Sequence, residues 1–513
     1  MAPDPLASPP RSLAARLLPA LALVVLIVGA VRVWPRTVDD AWITFRYARH
    51  VAEGLGPVWN PGERVEGYSS PSWMALSAAG LAAGIDPVPL SKLCGLLVSA
   101  GLVLWLWRDL GRAGVPDMSR GALALLLGSS LVLAIWSVAG METNAYALLA
   151  FGGLTLLARA PTTPRALGAS SLLAAAALTR PEGLAFWCCG AAVVAMGGAN
   201  ERMRRIAAYL GPSLVLVAHE LWRLSYYGAA FPNTYYAKTG GGAALWKQGL
   251  TGLLGFATDP AHAPWLAAAA LGGVVGAARG GLERRRAAVF GGAVLLHLLY
   301  VVSVGDDGLR VHRFYVPILA PLAALVAPLV SGHARRFQWG FGIAAIALAV
   351  AVSQWELHAR IAPSFLRGAL DYQQGNVKLG QHLERTMREQ GSWIAVAAAG
   401  AIPYYSRALT IDMYGLNDSH IARVPFPSAG GRLMKWDNAY VVERGPELIV
   451  INRGYFTAGD PLAQRVMQDP GTLVESAMDR DLFTHLARDG RYRLEPIRFD
   501  DGSVFFVFRK ARD

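Results

Sequence analysis

The chain is short of charge. Only 16% of its 513 residues are Asp, Glu, Lys or Arg, while 54% are hydrophobic. A soluble globular chain carries about 25% charged residues. This shortage excludes a disordered chain and a nucleic-acid binder built on a charged surface. Cysteine is scarce too. Cys94, Cys188 and Cys189 all lie in apolar runs. Adjacent cysteines rarely bridge each other, and no His or Cys stands at ligand spacing, so neither a disulfide nor a cysteine metal site is expected. Also missing are a Walker A loop, a dinucleotide-type glycine pattern, HExxH and a nucleophile elbow. No nucleotide cofactor is therefore expected. No internal repeat or low-complexity tract is present.

What the chain has instead is long apolar runs. A membrane helix needs about 20 mostly apolar residues. Eleven candidates fall near 13–34, 88–107, 120–138, 143–158, 166–179, 183–199, 206–224, 262–279, 286–304, 315–331 and 337–354. The first lacks a small-residue cleavage site and reads as an uncleaved anchor. The net charge is +12, and the last 158 residues hold 20 basic and 19 acidic side chains, so the basic excess sits in the apolar part. Arg11 and Arg16, Arg108 and Arg112, Arg159 and Arg165, Arg202 to Arg205, Arg284 to Arg286, and Arg335 and Arg336 all fall on one side of an alternating trace. That side is expected to be the cytoplasm, with the N-terminus. The other side receives 36–87, 139–142, 180–182, 225–261, 305–314 and everything after 355. The expected architecture is thus an α-helical polytopic membrane unit, 1–355, with first outer loop 36–87, followed by an extracytoplasmic α/β domain, 356–513. In that domain, 394–400 and 447–452 read as strands. Arg493–Arg498 and Ser503–Arg509, joined by Asp500-Asp501-Gly502, read as a hairpin.

The outer side collects the polar residues that could carry chemistry. Asp39 and Asp40 follow the first helix directly. Two carboxylates at a membrane boundary are costly to desolvate and need a partner or a role. They could take a proton from a hydroxyl, or hold a divalent cation such as Mg, Mn or Ca. They could equally cap an interfacial helix, paired by Arg46 and Arg49. Arg310, His312 and Arg313 offer donors suited to phosphate oxygens, with Asp306 and Asp307 beside them for hydroxyls. Glu142 stands at a helix start, as cap or site. Arg180 and Glu182 flank a turn as a possible internal ion pair. Asn233, Tyr235 and Lys238 lie in a Pro-Asn-Thr-Tyr-Tyr-Ala-Lys segment that suits a lipid-phosphate headgroup, although tyrosine is common at membrane interfaces. His219, Glu220 and Arg223 read as a polar cluster. Gly240 to Gly242 reads as a linker or a hinge.

In order along the chain, these loops resemble those of the bacterial GT-C glycosyltransferases, and within them the terminal β-(1→2)-arabinofuranosyltransferase group. The resemblance runs over about 39–418. It is carried by Asp39-Asp40-Ala41-Trp42-Ile43-Thr44-Phe45-Arg46-Tyr47, Asn60 to Ser70, Gly140-Met141-Glu142-Thr143, Thr179-Arg180-Pro181-Glu182-Gly183, Pro232 to Lys238, Gly305-Asp306 with Arg313-Phe314, Ala398 to Tyr405, and Thr410 to Asp418. It implies a bacterial plasma-membrane enzyme that uses a polyprenyl-phosphate-linked sugar, here decaprenylphosphoryl-arabinofuranose, and a glycan acceptor such as arabinan. It implies an Asp of the first outer loop as base or metal ligand, with Asp39 favoured over Asp40. Lys238, Arg310, His312 and Arg313 would meet the donor phosphate. Glu142, Arg180, Asn233, Tyr235, Asp306, Asp307 and Tyr404 would line the substrate. A protein acceptor and a lipid-linked-sugar flippase are the alternatives. The flippase would call for charges at helix centres and repeat symmetry between halves.

Overall fold

The computed structural model describes residues 13–159, 162–196, 201–305, 311–331, 363–387, 392–426 and 434–511. Up to residue 331 it is helical. Among the described residues, Pro87–Arg112, Gly281–Val304 and Arg313–Val330 are each long and apolar enough to cross a membrane. The count rises to five if two bent pairs each form one span: Asp117–Gly128 with Leu131–Ser137, bent by 58°, and Ala243–Thr258 with Ala263–Arg279, bent by 90°. Leu17–Arg32, Thr143–Leu157 and Gly183–Ala195 are shorter apolar helices, and several of the eleven expected runs are broken among the described residues. Apolarity alone does not register helix breaks. The 120–138 run breaks where Ser130 accepts from the Leu133 amide and starts a new helix. The 206–224 run is interrupted by a 3-10 turn at Gly211–Ser213. The 337–354 run and the expected 355/356 boundary lie outside the described residues.

Small residues let these helices approach. A Cβ on Gly95 would stand 2.1 Å from the Ser137 carbonyl oxygen, and one on Gly272 2.1 Å from that of Leu325. Such contacts replace the hydrophobic drive that lipid does not supply. At one end of the bundle, fully buried Asp109 accepts from Arg159 at 2.8 Å and from Arg286 at 2.6 Å. Two of the basic loops assigned to one side thus meet on a single carboxylate. The loops assigned to the other side meet at the opposite end. There Val38 donates to the Ala139 carbonyl, the Trp73 indole donates to that of Gly140, and Asn233 donates to that of Gly415. The apolar stretch of the first outer loop forms a helix, Pro71–Ala82.

The C-terminal unit is a mixed sheet with helices. Its strands are β1 (Trp393–Val396), β2 (Leu409–Asp412), β3 (Leu448–Val450), β4 (Tyr455–Phe456), β5 (Tyr492–Arg498) and β6 (Val504–Lys510). β1 lies between β2 and β3, parallel to both, while β6 runs antiparallel to β3, β4 and β5. The expected hairpin is β5–β6, and the two expected strands are β1 and β3, each shorter than anticipated. β6 begins with five buried residues, Val504 to Phe508, which suits a strand covered on both faces. The loops leaving β1, β2 and β3 carry Gly400, Gly415 and Asn452, the carboxyl-end position where open α/β sheets hold ligands. Here the first two of those loops meet the first outer loop and the 225–242 segment.

Candidate active site

Asp39 opens the helix Asp39–Ala52, which is laid across the C-terminal unit. Its carboxylate accepts from the Gly400 amide at 2.9 Å, the Ala401 amide at 3.1 Å and the Asn376 side chain at 3.3 Å. The fit is tight, since a Cβ on Gly400 would stand 2.0 Å from the Asp39 carbonyl oxygen. Crowding by protein pushes the Asp39 pKa up to about 6, against the amide bonds and with help from the Asp40 charge. A carboxylate in that range suits general base work near neutral pH, and two amides fix its direction. Asp40 differs. Its side chain is 41% exposed and faces Arg313, whose Nη1 lies 3.9 Å away.

Arg313 is buried at the start of the helix Val316–Val330. It donates to the Met141 sulfur at 3.2 Å and lies over the rings of Trp136 and Phe314. Behind it, Glu142 accepts from Arg180 at 2.7 Å, and Arg180 also pairs with Glu182. Glu142 stands at the N-cap position of the helix Thr143–Leu157 without a side-chain capping bond, and Arg180–Glu182 forms the ion pair. Asp39, Asp40, Arg313, Glu142 and Arg180 are thus gathered at one end of the bundle.

Other expected site residues go elsewhere. His312 lies against Asp259 and His262 and takes a left-handed backbone, φ 47°. Asn233 is buried and clasps the C-terminal unit: its amide donates to the carbonyls of Gly415, Leu416 and Asp418, and its oxygen accepts from Arg423. Tyr235 is exposed and stacks on Phe231 at 4.5 Å. Lys238 is exposed in the last turn of Asn233–Lys238. The Tyr404 ring lies under the Arg49 guanidinium at 4.6 Å. Asp306, Asp307 and Arg310 lie outside the described residues. Arg223 pairs with Glu220 and, at 2.8 Å, with buried Glu66, so that cluster extends into the first outer loop.

Arg46 and Arg49 do not pair the acids. Arg46 is 1% exposed and donates to the carbonyls of Trp59, Pro403 (2.6 Å) and Ala408 (2.8 Å) and to the Asn60 side chain. Arg49 donates to the Tyr404 carbonyl at 2.5 Å. Both dock the helix onto the C-terminal unit, because their acceptors lie across that junction. Sequence reading missed this role, and it missed Asn376, Asp259 and His262. The one available signal was arginine on the buried face of an amphipathic segment. A polar cavity of about 390 Å³ opens between the first outer loop, the 229–233 turn and the C-terminal unit, with Arg64, Glu66, His420 and Arg423 in its wall.

As a divalent-cation site, the Asp39–Asp40 pair is a poor fit. Asp39 spends both oxygens on amides, Arg313 stands beside Asp40, and no described His, Cys, Asp or Glu completes a ligand group with them.

The fold is similar to that of ArnT. Two structures of ArnT from Cupriavidus metallidurans, one bound to undecaprenyl phosphate and one apo, superpose with TM-scores of 0.51 and 0.54. Each alignment covers 96% of this chain and 97% of ArnT, at 14% and 13% identity. By sequence, the chain is similar to the terminal β-(1→2)-arabinofuranosyltransferase of Mycobacterium tuberculosis (strain ATCC 25618 / H37Rv), 32% identical over 235 residues. That match takes in 41% of this chain and 36% of the relative, so the chain covers just over a third of the relative's length. Residues 365–494 match a domain of unknown function, DUF8728.

Proposed function

We propose that the protein is a polyprenyl-phosphate-sugar-dependent glycosyltransferase, an arabinofuranosyltransferase, that extends a cell-envelope glycan. The observation that carries this reading is the amide-held Asp39 beside Asp40 and Arg313, where the outer loops meet the C-terminal unit. The names of the sequence relative and of the structural neighbour point the same way. The donor lipid enters between helices from the bilayer, with its phosphate beside Arg313. The acceptor hydroxyl gives its proton to Asp39 and its oxygen bonds to the anomeric carbon. The bond from that carbon to the phosphate oxygen breaks, and the electron pair leaves with the polyprenyl phosphate. A phosphate leaving group needs no general acid, so one carboxylate base and nearby cationic charge suffice. The two-carboxylate geometry of glycoside hydrolysis is not required. The active face is extracytoplasmic, the N-terminus cytoplasmic, and the C-terminal α/β domain, 356–513, holds or covers the acceptor.

The test is sugar transfer in nanodiscs, from synthetic decaprenylphosphoryl-arabinofuranose to a short arabinan. Wild type is expected to elongate the acceptor, and Asp39→Asn to lose about 10²-fold or more. Transfer to a protein acceptor alone would replace the glycan assignment. Activity retained in Asp39→Asn would remove the proposed base.

A further inference from the structure

The cluster that takes in His312 gathers one carboxylate and two imidazoles, and its Asp259 side chain also accepts from the Ala261 amide at 2.9 Å. Asp259 ends the helix Ala243–Thr258, and His262 directly precedes Ala263–Arg279, so an Asp-x-x-His turn presents both side chains at the 90° bend. His312 arrives from the loop that starts the helix Val316–Val330. The His262 Nδ1 lies 3.7 Å from one Asp259 oxygen, and the His312 Nε2 lies 3.5 Å from the other. Both separations exceed a hydrogen bond, about 2.7–3.2 Å. They are close to the ~3.3–3.5 Å that separates two ligands on a tetrahedral cation with bonds of about 2.0–2.1 Å. One ligand atom from each residue lies within 4.8 Å of the others.

Four further observations concern this cluster. His262 is buried, yet its Nδ1 has no hydrogen-bond partner among the described residues. A polar ring nitrogen is costly to bury in that state. His312 is held with φ 47° and ψ 38°, a conformation non-glycine residues adopt rarely and keep only where the surroundings impose it. The Phe256 ring stacks on His262 at 4.4 Å and on Tyr315 at 4.1 Å, walling the group off with apolar surface. His262 also lines a cavity of about 40 Å³ that has Ser129 and Ser130 in its wall, room for a water.

We infer that Asp259, His262 and His312 bind one divalent transition-metal ion of the Zn²⁺ class. Two imidazoles and a carboxylate suit Zn²⁺ or Co²⁺ rather than Mg²⁺ or Ca²⁺, which prefer oxygen ligands throughout. The ion joins the bent helix pair to the loop that carries Arg313. Its role is to fix that loop. The assignment does not depend on which sugar is transferred.

The test is metal content of nanodisc protein prepared without chelator and supplied with Zn²⁺, by plasma mass spectrometry. About one equivalent per chain is expected. His262→Gln and His312→Gln should each lose it, and His219→Gln, outside the cluster, should keep it. Because a variant can misfold, wild type is also stripped and reloaded with Co²⁺. A visible absorption band of four-coordinate Co²⁺, displaced by one equivalent of Zn²⁺, is expected. A substoichiometric metal content in wild type, metal retained in both histidine variants, or no such band would overturn the assignment.

Discussion

Two junctions at the same end of the molecule treat buried cations in opposite ways. Where the first outer loop meets the C-terminal unit, Arg46 and Arg49 bind neutral backbone carbonyls of residues 59, 403, 404 and 408. Where the helices meet one another, Arg180 binds the carboxylates of Glu142 and Glu182, and Arg313 faces that of Asp40. Carbonyls fix a guanidinium by shape and leave its charge uncancelled, as for Arg46; Arg49 also has the Glu53 carboxylate 4.0 Å away. Carboxylates cancel it. The first junction is therefore a rivet, and the second sets the local field. Asp39 belongs to both, since its helix lies in the first and its neighbour Asp40 faces the second.

That contrast can be broken at several points. The largest effect is expected from Arg313→Ala, which removes the cationic charge proposed to face the leaving phosphate. Transfer should fall about 10²–10³-fold, and Arg313→Lys should recover part of it, read as kcat/KM. Next is Gly400→Ala, which drives a methyl group into Asp39. A displacement of that size should cost about 10²-fold in kcat, with the donor KM little changed. Full activity would show that the amide clamp does not orient the base. Arg46→Leu tests the rivet: it removes the donor to three carbonyls at a buried junction, and of these Pro403 and Ala408 keep the Arg407 amide and the Thr410 hydroxyl. Thermal unfolding in nanodiscs should report a loss of about 2–4 kcal/mol, with residual activity in the molecules still folded. Asp40→Asn should have the smallest effect, less than about 10-fold, because its carboxylate is partly exposed and makes no contact with the Gly400–Ala401 amides. A loss as deep as that of Asp39→Asn would make the two acids a single unit.

The sequence made the outer end legible and the inner wiring opaque. Loop by loop, it grouped Asp39, Asp40, Glu142, Arg180 and Arg313 on one side, because polar residues at the ends of apolar runs have few other places to go. It grouped the basic loops too, and Arg159 and Arg286 do share Asp109. The β5–β6 hairpin was legible from its Asp-Asp-Gly turn between apolar strands. The helix breaks were not, because those at Ser129-Ser130 and Gly211–Ser213 are set by local capping and turn bonds that mean hydropathy does not register. The roles of Arg46, Asn233 and His312 were not legible either. Each is decided by a partner 50 or more residues away: Pro403 and Ala408 for Arg46, Gly415 for Asn233, Asp259 for His312. Residue type alone marked all three as polar and nothing more.

The central claim is that Asp39 is the base, held ready by the C-terminal unit. Its pKa is raised to about 6, mainly by crowding. A base works only when deprotonated, so activity is lost as pH falls through that value and gained as pH rises through it. The direct measurement is kcat/KM for transfer from decaprenylphosphoryl-arabinofuranose to an arabinan acceptor, taken between pH 4.5 and 8 in nanodiscs. The account predicts a rise with an apparent pKa near 6 in wild type, and a residual, flat rate in Asp39→Asn. A wild-type profile flat across that range, or the same rise persisting in Asp39→Asn, would contradict it.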